Sequence, residues 1–258
     1  MKVGIYQLRN HRNMGLNKAL ISEALLLGAR HGVDVAVFPE CMLTGFSAKP
    51  EGCTWSDVES YIEEVTALAV EHNMSVMLPS ILEEQGRFFN MGWWISSSGE
   101  CLEYGKRGLT QSEERFFTQF PLAQNQRIFH HGACRFGVVI CREVADEDGA
   151  YFSAQETDIV LWPTYWRWDE RWHDAQAVLA RSARRYSEQI SQLMIQCNYS
   201  HNEDDERSSG PNGRSVVIDC FGEEVCCAPE DRSVLMVLCL EEGGDGVWSV
   251  VNEEMIDV

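Results

Sequence analysis

The chain has 258 residues, 45% of them apolar, and a formal net charge of -19. This length and apolar content are sufficient for a large core in one or two domains. The negative charge disfavours nucleic acid and anionic membrane surfaces as partners, because both are polyanions. No apolar run approaches the about 20 residues of a membrane span, and the N-terminal MKVGIYQLRN lacks the features of a secretory signal. We therefore expect a cytoplasmic protein.

The ten cysteines are scattered along the chain, several inside apolar runs such as VVIC and VLMVLCL. In a large chain this distribution favours free thiols over a disulfide framework. The nearest ligand-like group is His130, His131 and Cys134, which lacks the two spaced pairs that are typical of structural zinc sites. We expect no metal site.

Short apolar runs alternate with amphipathic segments along the chain. Eight runs predict strands, and several are continuously apolar, as expected for sheets that are covered on both faces. The predicted strands are 2–8, 34–39, 75–82, 88–96, 135–141, 158–163, 193–198 and 214–220. Because strands and helices alternate, the sequence predicts α/β layers with sheets between helices.

Three segments predict helices. The first lies between the first two strands, has apolar residues at helical spacing and ends before Gly32, a C-terminal stop. In the second, 56–73, Ser56 is the predicted N-cap and Glu59 has capping-box spacing from it. The third covers 169–191. A polar segment after the seventh strand predicts a surface loop.

Reactive side chains follow two of the predicted strands. Glu40 follows DVAVFP and Cys141 ends RFGVVIC, and open α/β sheets place their chemistry at such strand ends. A catalytic cysteine needs a base, which Glu40 can supply. Lys106, one of only four lysines, can stabilise an oxyanion.

Each of these three residues also has an ordinary structural interpretation. Cys141 alone fits a buried structural thiol. Glu40 alone fits an acid at a helix N-terminus, and Lys106 alone fits a solvated loop charge. As a set they form a consistent nucleophile, base and oxyanion stabiliser.

Three short motifs resemble the nitrilase, or carbon-nitrogen hydrolase, superfamily. FPECMLTGF is similar to the element around its catalytic glutamate, YGKRGL to that around its lysine, and GVVICREV to its cysteine elbow. The order Glu40, Lys106, Cys141 agrees with the family as well. Two further segments, SARRYSEQISQLMIQCN and GRSVVIDCFGEEV, extend the resemblance to about residue 240.

SEERFF resembles the segment in which many family members place a second glutamate that supports the site. That residue would be Glu113, and its neighbour Glu114 is the alternative. The chain departs from the family pattern at Gly105, where arginine is frequent, and at 146–148, where an FPE-like turn is common.

The resemblance implies an α-β-β-α sandwich, formed by one carbon-nitrogen hydrolase domain over 1–240. The composition of 241–258, with GGDG and several acidic residues, predicts a peripheral acidic C-terminal extension that packs on a partner subunit. The resemblance implies self-association into a homodimer or larger oligomer through helices that cover the sheets. It also implies amide or nitrile chemistry without a metal or cofactor.

The aromatic stretch LWPTYWRWDERW follows the strand after Cys141. A role in the core or in a subunit interface is favoured, because aromatic side chains supply much of such burial. Alternatively, Trp162, Tyr165 and Trp166 line the pocket for the acyl group of the substrate.

Two arginines are candidates for binding a substrate carboxylate. The guanidinium groups of Arg142 and Arg167 could each bind it through two hydrogen bonds. Pairing with the neighbouring acids Glu143 and Asp169 is an equally good interpretation.

The sequence therefore predicts a hydrolase for the amide bond of a small molecule, with Glu40 as base and a thioester on Cys141. Lys106 and the backbone N–H of Arg142 would stabilise the oxyanion, and Glu40 or Glu113 would activate water. A nitrilase with the same residues and a non-catalytic binding or scaffold member of the superfamily are the alternatives. A glutaminase module and a membrane-bound N-acyltransferase are disfavoured, because neither a second catalytic domain nor a membrane span is evident.

Overall fold

A computed structural model of the chain describes residues 1–47, 52–121, 126–145, 156–166, 173–190, 192–200 and 213–258. The helices are α1 (Met14–Arg30), α2 (Trp55–Glu71) and α3 (His173–Ile190). The strands are β1 (Lys2–Gln7), β2 (Val35–Val37), β3 (Ser75–Glu84), β4 (Arg87–Ile95), β5 (Cys101–Gly105), β6 (Ile128–His131), β7 (Cys134–Val138), β8 (Ile159–Pro163), β9 (Leu193–Cys197), β10 (Val216–Ile218), β11 (Glu224–Cys227), β12 (Val234–Glu242) and β13 (Trp248–Asp257).

The strands form two sheets. The seven-stranded sheet has the order β13-β12-β1-β2-β3-β4-β5, and the six-stranded sheet has the order β11-β10-β9-β8-β7-β6. The strands β1, β2 and β3 are parallel, as are β7, β8 and β9. The remaining pairs are antiparallel. Each sheet thus has a parallel centre, where successive strands end at the same edge.

Apolar side chains fill the space between the two sheets. Alternate residues of β1, such as Val3 and Ile5, pack with residues of β7 and β8, such as Phe136 and Leu161. The opposite face of the first sheet packs against α1 and α2. The outer face of the second sheet packs against α3, for example through Tyr186. These layers form the predicted α-β-β-α sandwich.

The helix ends show where capping chemistry was predicted well and where it was not. The α1 helix gives way to Gly32 at φ +70°, a left-handed conformation that glycine adopts readily. The α2 helix is capped by Thr54, so the prediction of Ser56 was wrong. The backbone N–H of Thr54 donates to the Asp57 carboxylate at 2.9 Å, and Glu59 is not the residue that completes the box.

All eight predicted strands are present, with ends shifted by up to three residues. Five strands were missed: β5, β6, β11, β12 and β13. Most of the segment expected to be an acidic extension forms β13, which pairs with β12 at the edge of the seven-stranded sheet. The third predicted helix is present as α3, and its predicted residues 169–172 and 191 lie outside the described residues. Nearly all of the predicted loop at 200–213 lies outside them as well.

Within the described ranges, none of the helices combines the length and the apolar character that spanning a membrane requires. All ten cysteines are free thiols, outside any disulfide. In the same ranges, no three His, Cys, Asp or Glu side chains are grouped so that they could hold a metal ion. The Nδ1 atom of His131 instead lies 2.9 Å from the hydroxyl of Ser75.

Candidate active site

Glu40 lies in the turn that follows β2, and its side chain is buried. Its Oε1 atom accepts hydrogen bonds from Lys106 Nζ and from Asn90 Nδ2, both at 2.7 Å. Its Oε2 atom is buried without a hydrogen-bond partner in the described part of the chain. The hydroxyl of Tyr199, which follows β9, donates to the Glu40 carbonyl. Glu40 is thus held at one carboxylate oxygen and at its backbone, and its second oxygen is available.

Lys106 follows β5 directly and is 1% exposed. Its Nζ atom donates to Glu40 Oε1 and to Glu113 Oε1, both at 2.7 Å. Burial disfavours the ammonium, but the two carboxylates outweigh this effect and raise the pKa of Lys106 well above its usual value. The site therefore contains a permanent, compact cation.

Glu113 begins a short 3-10 turn, Glu113–Arg115. Its Oε2 atom accepts the backbone N–H of Thr110 at 2.8 Å, while its Oε1 atom binds Lys106. Glu114 is exposed, so Glu113 is the glutamate of this pair that faces the lysine.

Two carboxylates therefore share one ammonium, and this sharing affects the basicity of Glu40. Burial raises the pKa of Glu40, the charge of Lys106 lowers it, and the charge of Glu113 raises it again. The net direction is upward, toward the range in which a carboxylate can take up a proton and release it near neutral pH.

Cys141 lies just beyond β7 and begins a 3-10 turn, Cys141–Ala145. Its φ is +48°, a left-handed conformation that is costly for a residue with a side chain and is common at functional sites. Its carbonyl accepts a hydrogen bond from Trp162 Nε1 at 2.7 Å. Burial and the charge of Glu40 raise the pKa of the Cys141 thiol, whereas Lys106 lowers it. The resting group is therefore a thiol, which needs a base before it can act as a nucleophile.

The buried pair of Arg127 and Glu143 was not predicted from the sequence. Arg127 donates two hydrogen bonds to the Glu143 carboxylate, each 2.8 Å long. The same carboxylate accepts the backbone N–H of Ile140 at 2.8 Å, of Arg107 at 2.6 Å and of Gly108 at 3.1 Å. One side chain thus joins the turn that carries Cys141 to the loop that carries Lys106.

Burial alone would raise the pKa of Glu143, but Arg127 and the backbone donors outweigh it, so this pKa lies below its usual value. Arg127 also donates to the carbonyl groups of Gly105 at 2.8 Å and Val138 at 3.1 Å. The only sequence signal for this arrangement was the acid two positions after Cys141. Arg127 had no signal, because its partners are distant in sequence.

Asn90, a buried polar residue of β4, was not predicted from the sequence either. Its Nδ2 atom donates to Glu40 at 2.7 Å and lies 3.5 Å from Glu113 Oε1. Its backbone carbonyl accepts the N–H of Lys106 at 2.8 Å. A buried asparagine inside the apolar run FFNMGWW was the available signal.

Arg142 does not pair with Glu143, so that alternative was wrong: the carboxylate of Glu143 belongs to Arg127. The Arg142 guanidinium instead donates to the Leu109 carbonyl at 3.1 Å. Arg167 and Asp169, and the unusual acids at 146–148, lie outside the described residues.

The three aromatic candidates occupy different places. Trp162 and Trp166 are buried in the core between α3 and the second sheet, with ring centroids 4.9 Å apart. Tyr165 is half-buried and stacks on Phe46, with centroids 4.8 Å apart. A backbone hydrogen bond from Tyr165 favours the thiolate of Cys141. The two tryptophans therefore fit the core interpretation, and Tyr165 lies beside the sulfur.

Gly105, the departure before the lysine, has a steric explanation. A Cβ atom at this position would lie 2.1 Å from Cγ of Phe120. The Phe120 ring is buried in the apolar cluster between the seven-stranded sheet and the helices α1 and α2. Glycine at position 105 therefore allows this ring to pack against the strand end that presents Lys106.

Several solved structures have the same fold. The glutamine-dependent NAD+ synthetase from Acinetobacter baumannii has a TM-score of 0.75 at 18% identity over 97% of this chain and 47% of that one. This chain therefore spans about half of that synthetase. A carbon-nitrogen hydrolase from Helicobacter pylori G27 has a TM-score of 0.73 at 16% identity over 91% of this chain and 87% of that one. An amidase from Nesterenkonia sp. AN1 has a TM-score of 0.76 at 16% identity, with 93% of each chain covered.

A search of curated protein sequences finds no match to this chain. The family model that describes carbon-nitrogen hydrolases matches residues 2–239. The match covers both sheets up to the end region of β12, and includes Glu40, Lys106, Glu113 and Cys141. With this match across almost its whole length, the chain belongs to the carbon-nitrogen hydrolase family.

Proposed function

We propose that this chain hydrolyses the amide bond of a small molecule through a thioester on Cys141. The observation that carries the proposal is the shared ammonium of Lys106. It is bound by two buried carboxylates, and its charge acts on the thiol of Cys141. One of the two, Glu40, keeps an oxygen that has no hydrogen-bond partner among the described residues. A purely structural ion pair would need no unpartnered carboxylate oxygen beside a nucleophile.

Acylation begins with transfer of the thiol proton to Glu40. The raised pKa of Glu40 makes it a stronger base than an exposed carboxylate, and the raised pKa of Cys141 makes this base necessary. The sulfur attacks the amide carbon, and the carbonyl oxygen becomes an oxyanion. Lys106 and the backbone N–H of Arg142 stabilise that charge, and Glu40 returns its proton to the departing amine.

Deacylation repeats these steps with water. Glu40 takes a proton from a water molecule, which attacks the thioester. The tetrahedral intermediate then expels the sulfur, and Glu40 returns the proton to it, which restores the thiol of Cys141. Glu113 keeps Lys106 in place throughout. Its Oε1 atom binds the ammonium, and its Oε2 atom is held by the backbone N–H of Thr110. The products are a carboxylate and ammonia or an amine.

Structures of the Nesterenkonia amidase are consistent with this chemistry. One has acrylamide added to the active-site cysteine, and another holds butyramide. Small aliphatic amides are therefore the first substrates to test here. We also infer that the chain self-associates into a homodimer or larger oligomer through the helices that cover its sheets, which light scattering on the purified protein would test.

Ammonia release from a panel of compounds tests the proposed function. The panel contains acetamide, butyramide, glutamine, an N-carbamoyl amino acid and butyronitrile, each with the wild type, Cys141→Ala and Cys53→Ala. We expect release from at least one amide, abolished in Cys141→Ala and retained in Cys53→Ala. Release from the nitrile alone would assign a nitrilase. No release from any compound, or equal release with Cys141→Ala, would reject the proposal.

A further inference from the structure

We propose that Asn90 and Cys41 form a positioning pair that holds Glu40 with one carboxylate oxygen bound and the other available for proton transfer. Neither residue has to touch the substrate for this role. The inference rests on the proposed hydrolase function, since it explains how the base of that reaction is oriented.

The amide of Asn90 can take only one orientation in this site. Carboxylates accept hydrogen bonds and do not donate them, so the Nδ2 atom must face Glu40 and Glu113. It lies 2.7 Å from the first and 3.5 Å from the second. The Oδ1 atom then faces away and needs a donor, because a buried carbonyl without a hydrogen bond is destabilising.

Cys41 supplies that donor. Its Sγ atom lies 3.5 Å from Asn90 Oδ1, and the thiol is completely buried. Only the protonated thiol can donate. Burial and the neighbouring charge of Glu40 raise the pKa of Cys41 well above its usual value, so the proton stays on the sulfur. Cys41 is therefore a hydrogen-bond donor to Asn90.

The backbone of Cys41 is a second, independent indication. Its φ is +58°, in the left-handed region. Glycine adopts this conformation freely, whereas it is strained for a residue with a side chain. If position 41 served only to turn the chain after Glu40, glycine would be better. The thiol that contacts Asn90 gives a reason for a side chain at this strained position.

Asn90 then connects the two charged residues of the site. Its side chain binds Glu40 and its backbone carbonyl binds the N–H of Lys106 at 2.8 Å. With Lys106 and Asn90 both on Oε1 of Glu40, the free Oε2 atom has a defined direction. Loss of either member of the pair should allow the carboxylate to rotate and should lower turnover, with little effect on substrate binding.

Variants of Cys41 test the thiol as a donor. We expect Cys41→Ala to lower kcat about 3- to 10-fold, the effect of one hydrogen bond, with KM unchanged. Cys41→Ser keeps a donor at the same position and should restore most of this loss. All three residues carry a Cβ atom, so the strain at φ +58° is the same in each. Cys53→Ala is the matched control, because Cys53 is a buried thiol of the same apolar cluster.

Asn90→Asp tests the orientation of Glu40 with a side chain of the same shape. An ionised aspartate cannot donate and adds a negative charge beside Glu40, so the pKa of Glu40 should rise further. The acidic limb of the profile of kcat/KM against pH should then move upward by about one pH unit or more. Loss of activity without a shift of this limb would indicate a purely structural residue and would overturn the proposal, as would equal activities of Cys41→Ala and Cys53→Ala.

The alkylation of Cys141 by iodoacetamide, followed by peptide mapping, separates this inference from the proposed function. Its rate depends on the same base and needs no substrate. If the wild type hydrolyses no compound of the panel, the proposed function fails, and the positioning pair is judged by alkylation alone. We expect the rate profile of Asn90→Asp to move to higher pH than that of the wild type. An unchanged profile would reject the pair.

Discussion

Arg127 and Glu143 form two parallel hydrogen bonds of 2.8 Å in a pair that is almost completely enclosed by protein. The Glu143 carboxylate also binds backbone N–H groups on both sides of the site, at Ile140 and at Arg107. The distance between the Cys141 turn and the Lys106 loop therefore depends on this pair. Its role is to hold the proposed nucleophile and cation together, since neither side chain is placed to react.

Replacement of Arg127 by methionine should destabilise the protein strongly. The substitution leaves the charge of Glu143 buried and unpaired, which typically costs about 3–5 kcal/mol. Urea denaturation would measure the loss. Arg135→Met is the control, because its pair with Asp158 is partly exposed and such pairs contribute about 0–1 kcal/mol. Equal losses in both variants would contradict the structural role of the buried pair.

Glu143 should also make the stability of the protein depend on pH. Its pKa is lower in the folded chain than its ordinary value of 4.5. A depressed pKa contributes stability above the unfolded pKa, and this contribution is lost as the pH falls through the folded pKa. The free energy of unfolding of the wild type should therefore exceed that of Glu143→Gln by a constant amount at neutral pH. The difference should shrink below about pH 4, and a difference independent of pH would contradict this assignment.

The two glutamates that bind Lys106 should have separable roles. Glu40→Gln removes the proposed base, so both formation and hydrolysis of the thioester should fail. Glu113→Gln removes only a partner of Lys106, so a reactive ester should still acylate Cys141 and the adduct should be released slowly. Intact mass spectrometry would detect it. An adduct that accumulates in Glu40→Gln and not in Glu113→Gln would reverse the two roles.

Arginine should not replace Lys106. The space between the two carboxylates holds a compact ammonium with 2.7 Å contacts on both sides, and a guanidinium is larger and directs its donors differently. We expect Lys106→Arg to lower kcat at least about 100-fold, the effect of losing one oxyanion donor. Circular dichroism would check that the variant is folded. Near-normal turnover would remove Lys106 from the mechanism.

A methyl group at position 105 should be destabilising because it meets the Phe120 ring. Gly105→Ala should cost about 1–3 kcal/mol, as expected for overpacking. In the Phe120→Ala background the same change should cost much less, because the ring that it contacts is gone. Thermal unfolding of the wild type, the two single variants and the double variant provides the double-mutant cycle that measures this difference. Additive losses would contradict the steric explanation for glycine at this position.

The sequence predicted the layers and most of the candidate site because both leave local signals. Continuously apolar strands such as β8 and the residues at strand ends, Glu40 and Cys141, are visible in short windows. Two of the missed strands lack such signals: β5 reads CLEYG, and in β13 most side chains are exposed. The apolar run VLMVLCL of β12 did carry the signal and was not interpreted as a strand. Exposed edge strands do not need the apolar alternation by which strands are recognised.

The missed site residues depend on contacts between distant segments. Arg127 binds Glu143 from a different loop, and Asn90 meets Glu40 across fifty positions of sequence. The prediction that Arg142 could pair with Glu143 used proximity in sequence, whereas the fold brings Arg127 to that carboxylate. No pattern within one segment can predict which of several arginines will be the partner.

The position of β1 has a consequence for the order of folding. This strand lies between β2 and β12, and Lys2 at its start is aligned with Cys239 near the end of β12. During synthesis on the ribosome, one edge of β1 therefore lacks its final partner until β12 has been made. We expect slow folding with a late step in which the C-terminal hairpin of β12 and β13 closes the sheet. Until then, the open edge of β1 would expose unpaired backbone groups to which another chain could add a strand.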